Sequence, residues 1–163
     1  MRLTAKKSSL TLALILLLLL PSISWAWSGK VVGVTDGHTI TVLQEGEPEK
    51  IRLFGIDCLE KRQAFGTRAK QATSALVFGK VMGVEPLAVD RYGRTVALVT
   101  MGATLVNQEL VRQGLAWVYP QYCKRPICGE RKHLEAEARE ARRGLWVDPQ
   151  AVPPWEFRRQ RRK

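Results

Sequence analysis

The chain has 163 residues, enough for one domain with a real core, and shows neither an internal repeat nor a second domain. Lysine and arginine number 26 against 15 acidic residues, a net charge of +11. That balance suits a polyanionic partner, either nucleic acid or an anionic surface, and does not by itself choose between them.

Residues 1–26 read as a secretory signal peptide. Arg2, Lys6 and Lys7 give a basic start, residues 10–20 are apolar apart from Thr11, and Pro21 breaks the run. Ser24-Trp25-Ala26 fits a small-x-small cleavage site. The run is short of the ~20 residues a membrane span needs, so cleavage after Ala26 and a secreted or periplasmic location are expected. Without this segment 23 basic residues face 15 acidic ones, a net charge of +8.

Residues 27–150 are expected to form the folded domain. Strand-like runs at 29–35 and 38–43 flank Asp36-Gly37 and predict a hairpin. Residues 45–50 read as a polar loop and 50–56 (KIRLFGI) as a third strand. A helix is predicted from Thr67, as cap, to Gly79, with Ala69, Ala72, Ala75 and Leu76 on its apolar stripe. A fourth strand at 80–87, the turn DRYGR at 90–94 and a fifth strand at 95–100 follow. Two more helices are predicted: 105–113, ended by Gly114, and 130–143, with Leu134, Ala138 and Ala141 along one side. Pro153-Pro154 should close the ordered part. Residues 151–163 are expected to be a solvated basic tail with no catalytic role. The prediction is an α+β fold: a five-stranded barrel of the OB type with three helices.

Cys123 and Cys128 flank a short loop, and export makes a disulfide between them the favoured reading. With His133 they offer only three ligands where structural zinc takes four. Cys58 is then the odd thiol. A lone exported thiol without a defined base reads as a small buried hydrophobe rather than a nucleophile.

Three clusters carry candidate chemistry: TDGHTI (35–40) with Asp36 and His38, IRLFGIDCLE (51–60) with Arg52, Asp57 and Glu60, and DRYGR with Arg94. Phosphodiester hydrolysis needs such a set. Guanidinium forks pair with phosphate oxygens and keep their charge, a carboxylate takes a proton from water, and another acid seats a divalent cation. By spacing alone a plainer reading is favoured, with Arg52–Glu60 a surface ion pair and Asp90–Arg94 turn decoration. Strict alternation also puts Arg52 and Asp57 on opposite faces, so Asp57 must lie beyond the strand or a bulge must intervene. Trp117, Tyr119 and Tyr122 are candidates for stacking on bases, and equally for packing.

The order TDG-x-TI, IRLFGID-x-x-E, DRYGR, LVNQELVRQGLA and an Ala/Glu/Arg helix ending GLW resembles the staphylococcal (thermonuclease-like) nuclease family from about residue 30 to 146. The resemblance implies an OB-fold and calcium-dependent cleavage of DNA and RNA, single strands preferred, by a monomer. It places the two catalytic arginines at Arg52 and Arg94 and the general base at Glu60. It places the metal at Asp57 and the Cys58 backbone carbonyl, with position 38 as a further ligand. The family turn reads Asp-Gly-Asp-Thr, so His38 replaces a metal-binding aspartate, and Leu59 replaces a proline before the glutamate. Imidazole suits calcium poorly and zinc, manganese, nickel or copper better. A protonated His38 touching phosphate directly, or a plain turn residue in a site that lost its metal, are the other readings. The expected function is a secreted nuclease of low sequence specificity. The alternatives are a noncatalytic OB-fold module that binds nucleic acid and an envelope protein that meets an anionic polymer.

Overall fold

The computed structural model describes residues 26–161, so the predicted signal peptide lies outside the described residues but for Ala26. Strands β1 (Trp27–Asp36), β2 (Thr39–Gln44), β3 (Glu47–Leu53), β5 (Val81–Val89) and β6 (Thr95–Met101) form a ring in the order β3-β2-β1-β5-β6. A parallel pairing of β3 with β6, Ile51 opposite Thr95, closes it. This is the predicted five-stranded OB-type barrel. Alternation fills its interior: Ile40 and Val42, Ile51 and Leu53, Met82 and Val84, and Ala97 and Val99 all point inward and are buried.

Several elements differ from the prediction. The 45–50 segment is a loop only at Glu45-Gly46, where both residues have positive φ, and β3 begins at Glu47. The third strand does not run through to Ile56. It breaks at Phe54-Gly55, where Gly55 takes φ 74°, and resumes as β4 (Ile56–Cys58), which pairs with β8 (Ala116–Val118). A two-residue β7 (Thr104–Leu105) hairpins onto β6.

Four α-helices are present among the described residues where three were expected: α1 (Gly66–Val77), α2 (Val106–Arg112), α3 (Ile127–Glu140) and α4 (Pro154–Gln160). A 3-10 turn, Gly144–Val147, lies between the last two. Thr67 sits inside α1 rather than capping it, because Phe65 is the boundary residue. The buried stripe of α1 is Ala69, Thr73 and Val77, so Ala75 faces solvent. On α3, Arg131 and Ala138 are buried and Ala141 is exposed.

The Phe54-Gly55 break is held from behind. Asn107 of α2 donates to the Phe54 carbonyl at 3.1 Å, and the fully buried Arg131 of α3 donates to it at 2.6 Å. Burial pulls the Arg131 pKa down to about 10. The Cys123–Cys128 disulfide forms beside Arg131, with the Cα atoms 5.6 Å apart. His133 points away to solvent and lies 3.5 Å from Glu137, so it takes no part with the cysteines.

Candidate active site

The opening hairpin turn is built by side chains. Asp36 Oδ1 accepts the His38 N–H at 2.9 Å, and the Thr73 hydroxyl of α1 donates to the Gly37 carbonyl at 2.7 Å. Gly37 is required by space. A Cβ there would come to 2.7 Å from Cys58 Cβ and 2.9 Å from Ala69 Cβ. The Cys58 side chain therefore fills the floor beneath the turn. It is fully buried, and burial pushes its thiol pKa well up, so it is not a nucleophile.

His38 leaves this turn buried between both flanking segments. Its Nδ1 accepts the Cys58 N–H at 3.3 Å, which leaves the ring proton on Nε2, 3.4 Å from Asp57 Oδ1. Burial, then the charges of Arg52, Arg158 and Arg94, hold the His38 pKa well below its ordinary value. The imidazole is thus neutral at pH 7. A protonated His38 reaching for phosphate does not fit this environment.

Arg52 and Asp57 meet despite their odd spacing because the Phe54-Gly55 turn separates them. Arg52 wraps that turn: Nη1 donates to the carbonyls of Leu53 (3.0 Å) and Ile56 (2.8 Å), and Nη2 to Asp57 Oδ1 (3.2 Å). Burial lowers the Arg52 pKa and the Asp57 charge opposes it, so the guanidinium stays charged. Asp57 is 1 % exposed. Burial raises its pKa, while the hydrogen bond from Arg158 and the charge of Arg52 pull it back.

Glu60 sits at the exit of β4 with its side chain about one-third exposed. Its backbone N–H donates to Gln63 Oε1 at 2.9 Å, and the Gln63 N–H returns to its carbonyl at 2.8 Å. Gly66 is needed here, since any Cβ would collide with the Glu60 carbonyl. Leu59 packs against Trp117, Ala138, Leu145 and Trp146. Burial of Leu59 anchors the segment that aims Glu60.

Arg94 approaches from the turn before β6. In the parallel register Arg52 faces Val96, and Arg94 lies two residues before Val96, on the same face. Its Nε donates to Asp90 Oδ2 at 2.7 Å, while Asp90 Oδ1 accepts the N–H groups of Tyr92 and Arg94. Its charge acts on both Arg52 and His38. The other two guanidinium nitrogens make no hydrogen bond among the described residues.

Sequence reasoning missed Arg158. Helix α4 stands where a solvated tail was expected. Its Arg158 Nη2 donates to Asp57 Oδ2 at 2.6 Å and its Nη1 to Glu60 Oε1 at 2.7 Å. Burial lowers the Arg158 pKa, but these two hydrogen bonds outweigh it and hold the pKa above its usual value. The signal was legible: Pro154 at the first helical position, Glu156 in the first turn and arginines in the last are marks of a helix. The aromatic candidates belong to its anchorage. Trp155 stacks on Tyr119 (4.9 Å, 3°) and meets Trp117 edge-on (5.8 Å), and only Tyr122 is exposed.

The donor set does not fit a calcium ion in this arrangement. Both Asp57 oxygens already accept guanidinium hydrogens, and both His38 nitrogens are engaged. A hard cation wants six to eight oxygens, and imidazole supplies none. No three His, Cys, Asp or Glu side chains converge as a metal cage among the described residues.

The barrel sets two arginines on one face with a carboxylate pair beside them, groups chemically suited to a phosphate ester. The profile of the family described as "Staphylococcal nuclease homologue" matches residues 50–148. Protein ParB of Escherichia coli is 43 % identical over 158 residues, covering 91 % of this chain and 89 % of its own length. A micrococcal nuclease of Shigella flexneri is 40 % identical over 157 residues, covering 90 % and 88 %. An uncharacterized endonuclease of Escherichia coli O157:H7 is 43 % identical over 131 residues, covering 80 % and 84 %. The chain belongs to the staphylococcal nuclease family, and it is an enzyme of the nuclease type.

Proposed function

We propose that this chain hydrolyses phosphodiester bonds in DNA and RNA with little sequence preference, acting on single strands as an exported monomer. The observation that carries the reading is that Arg52 bonds Asp57 and Arg158 joins Asp57 to Glu60 on one side of the barrel, with Arg94 entering the same face from the turn before β6. Export rests on the signal-like residues 1–26.

The chemistry follows from what each group can do. Negative charge grows on the non-bridging oxygens as water attacks phosphorus. Arg94, with two nitrogens unengaged, is free to take one of those oxygens, and Arg52 meets the phosphate from the barrel side. Glu60 receives the proton of the attacking water through the oxygen that Arg158 does not hold. Asp57 accepts no proton from water. It is buried and orients Arg52 and His38.

Single-stranded DNA and RNA oligonucleotides of mixed sequence, incubated with wild-type protein and with Glu60→Gln, test the reading. Wild type should cleave both polymers at many positions, and Glu60→Gln should be slower by about 10²–10⁴-fold. Salt-sensitive binding without turnover by the wild type would instead identify a noncatalytic OB-fold module.

A further inference from the structure

We infer that Arg158 is the resident cation of this site: its guanidinium, carried on α4, bridges Asp57 and Glu60 so that the nuclease needs no divalent ion there. The inference rests on the nuclease reading for its consequence and on geometry for its content.

The seat is chemically specific. One fork of Arg158 spans two carboxylates that lie on either side of Cys58 and Leu59, with hydrogen bonds of 2.6 and 2.7 Å. Charge-assisted bonds of this length are the strong kind. Two carboxylates, Asp57 and Glu60, face the seat; Arg158 bonds both, and Arg52 also reaches Asp57. Removing Arg158 would leave the buried Asp57 with Arg52 at 3.2 Å and His38 Nε2 at 3.4 Å, and the Glu60 carboxylate without a partner among the described residues.

The arm that delivers Arg158 is fastened at three other points. Pro154 is buried, Trp155 stacks on Tyr119 and abuts Trp117, and the Gln63 side chain donates to the Val152 carbonyl at 2.9 Å. Gln63 also holds the Glu60 backbone. The same residue thus ties the base to the arm, as a built part of the site would require. A loose plug would show no such coupling. Arg158 is a positioning residue, since it acts through Asp57 and Glu60. It leaves Arg52 and Arg94 to meet the phosphate.

The test uses the full chain as wild type, Arg158→Gln and Arg158→Lys. Cleavage of single-stranded DNA is followed with chelator and with calcium, and calcium binding is titrated separately by calorimetry. Wild type should cleave in chelator, change less than about twofold on adding calcium, and give no saturable calcium heat. Arg158→Gln should fall about tenfold or more in chelator, and Arg158→Lys should recover at least about threefold of that loss by restoring a charge without the fork. Thermal melts of both variants separate lost folding from lost charge, because only the charge role predicts a difference between them at equal Tm. An Arg158→Gln protein as fast as wild type in chelator overturns the inference and makes α4 a plug. Calcium-dependent cleavage with saturable calcium binding by the wild type overturns it too. If no version cleaves nucleic acid, the nuclease reading fails separately. The titration still decides the seat: a silent wild type upholds it and a saturable one overturns it.

Discussion

Arg52 and Arg94 bring the same group to the same face of the barrel under opposite conditions. Arg52 is buried on β3 and spends its Nη atoms on two carbonyls of its own chain and on Asp57. Arg94 stands at a turn, about a quarter exposed, held by one nitrogen to Asp90 and lying near Tyr92. One guanidinium therefore holds the fold around it at three points, and the other holds only Asp90 of its own turn among the described residues. The difference teaches that position on a strand and position on a turn give one residue type separable costs. On the proposed reading a substitution at Arg52 should change stability and rate together, and one at Arg94 chiefly rate.

The largest expected effect is at Arg52. Arg52→Gln should destabilise the protein by about 3 kcal/mol, because it leaves a buried carboxylate and two carbonyls short of donors. It should also slow cleavage by at least 10²-fold, an order-of-magnitude figure for losing one oxyanion donor. Chemical denaturation beside the activity assay reads both. Arg94→Gln should lose a similar rate and shift stability by less than about 0.5 kcal/mol. Equal destabilisation at the two arginines would break the comparison.

The support behind Arg52 gives a smaller effect. Reducing the Cys123–Cys128 bridge should cost about 2 kcal/mol by the loop-entropy estimate for so short a loop. Cys123 packs against Gly55 and Arg131, so part of that loss should appear as faster exchange of the Phe54-Gly55 turn amides. A thiol titration of unreduced protein should find one free cysteine, Cys58.

The smallest effect is the acid response of His38. Its native pKa lies below the ordinary 6.5, so the unfolded chain takes up a proton first as pH falls. The stability His38 contributes is complete above about pH 6.5 and declines as pH drops toward its native pKa, at up to about 1.4 kcal/mol per pH unit. His38→Asn should flatten that limb of the stability profile. An unchanged limb would show that another group titrates there.

The barrel was legible in the sequence because alternation and turn chemistry report directly on strands that face one core. Arg52, Glu60 and Arg94 were legible only as members of a motif order, since spacing alone read them as surface charges. The odd spacing of Arg52 and Asp57 already required a strand end or bulge between them, but where it falls, and Arg158, escaped for physical reasons. The break at Phe54-Gly55 is stabilised from far away, by Asn107 and Arg131, and a window of ten residues cannot see those donors. Arg158 lies 98 residues from Glu60, on a helix too short to show periodicity and inside a run of positive charge that resembles a solvated tail. Its Pro-Trp start was the available clue, and the aromatic stack beneath it could be assembled only in three dimensions.

The most direct test is the single-turnover cleavage rate of single-stranded DNA by Arg94→Gln, set against wild type with both melting curves in hand. The expected result is a rate at least about 10²-fold lower at a nearly unchanged Tm, as befits a side chain that bonds only Asp90 of its own turn among the described residues. A variant that folds like wild type and cleaves at the same rate would contradict the assignment of this face of the barrel as the hydrolytic site.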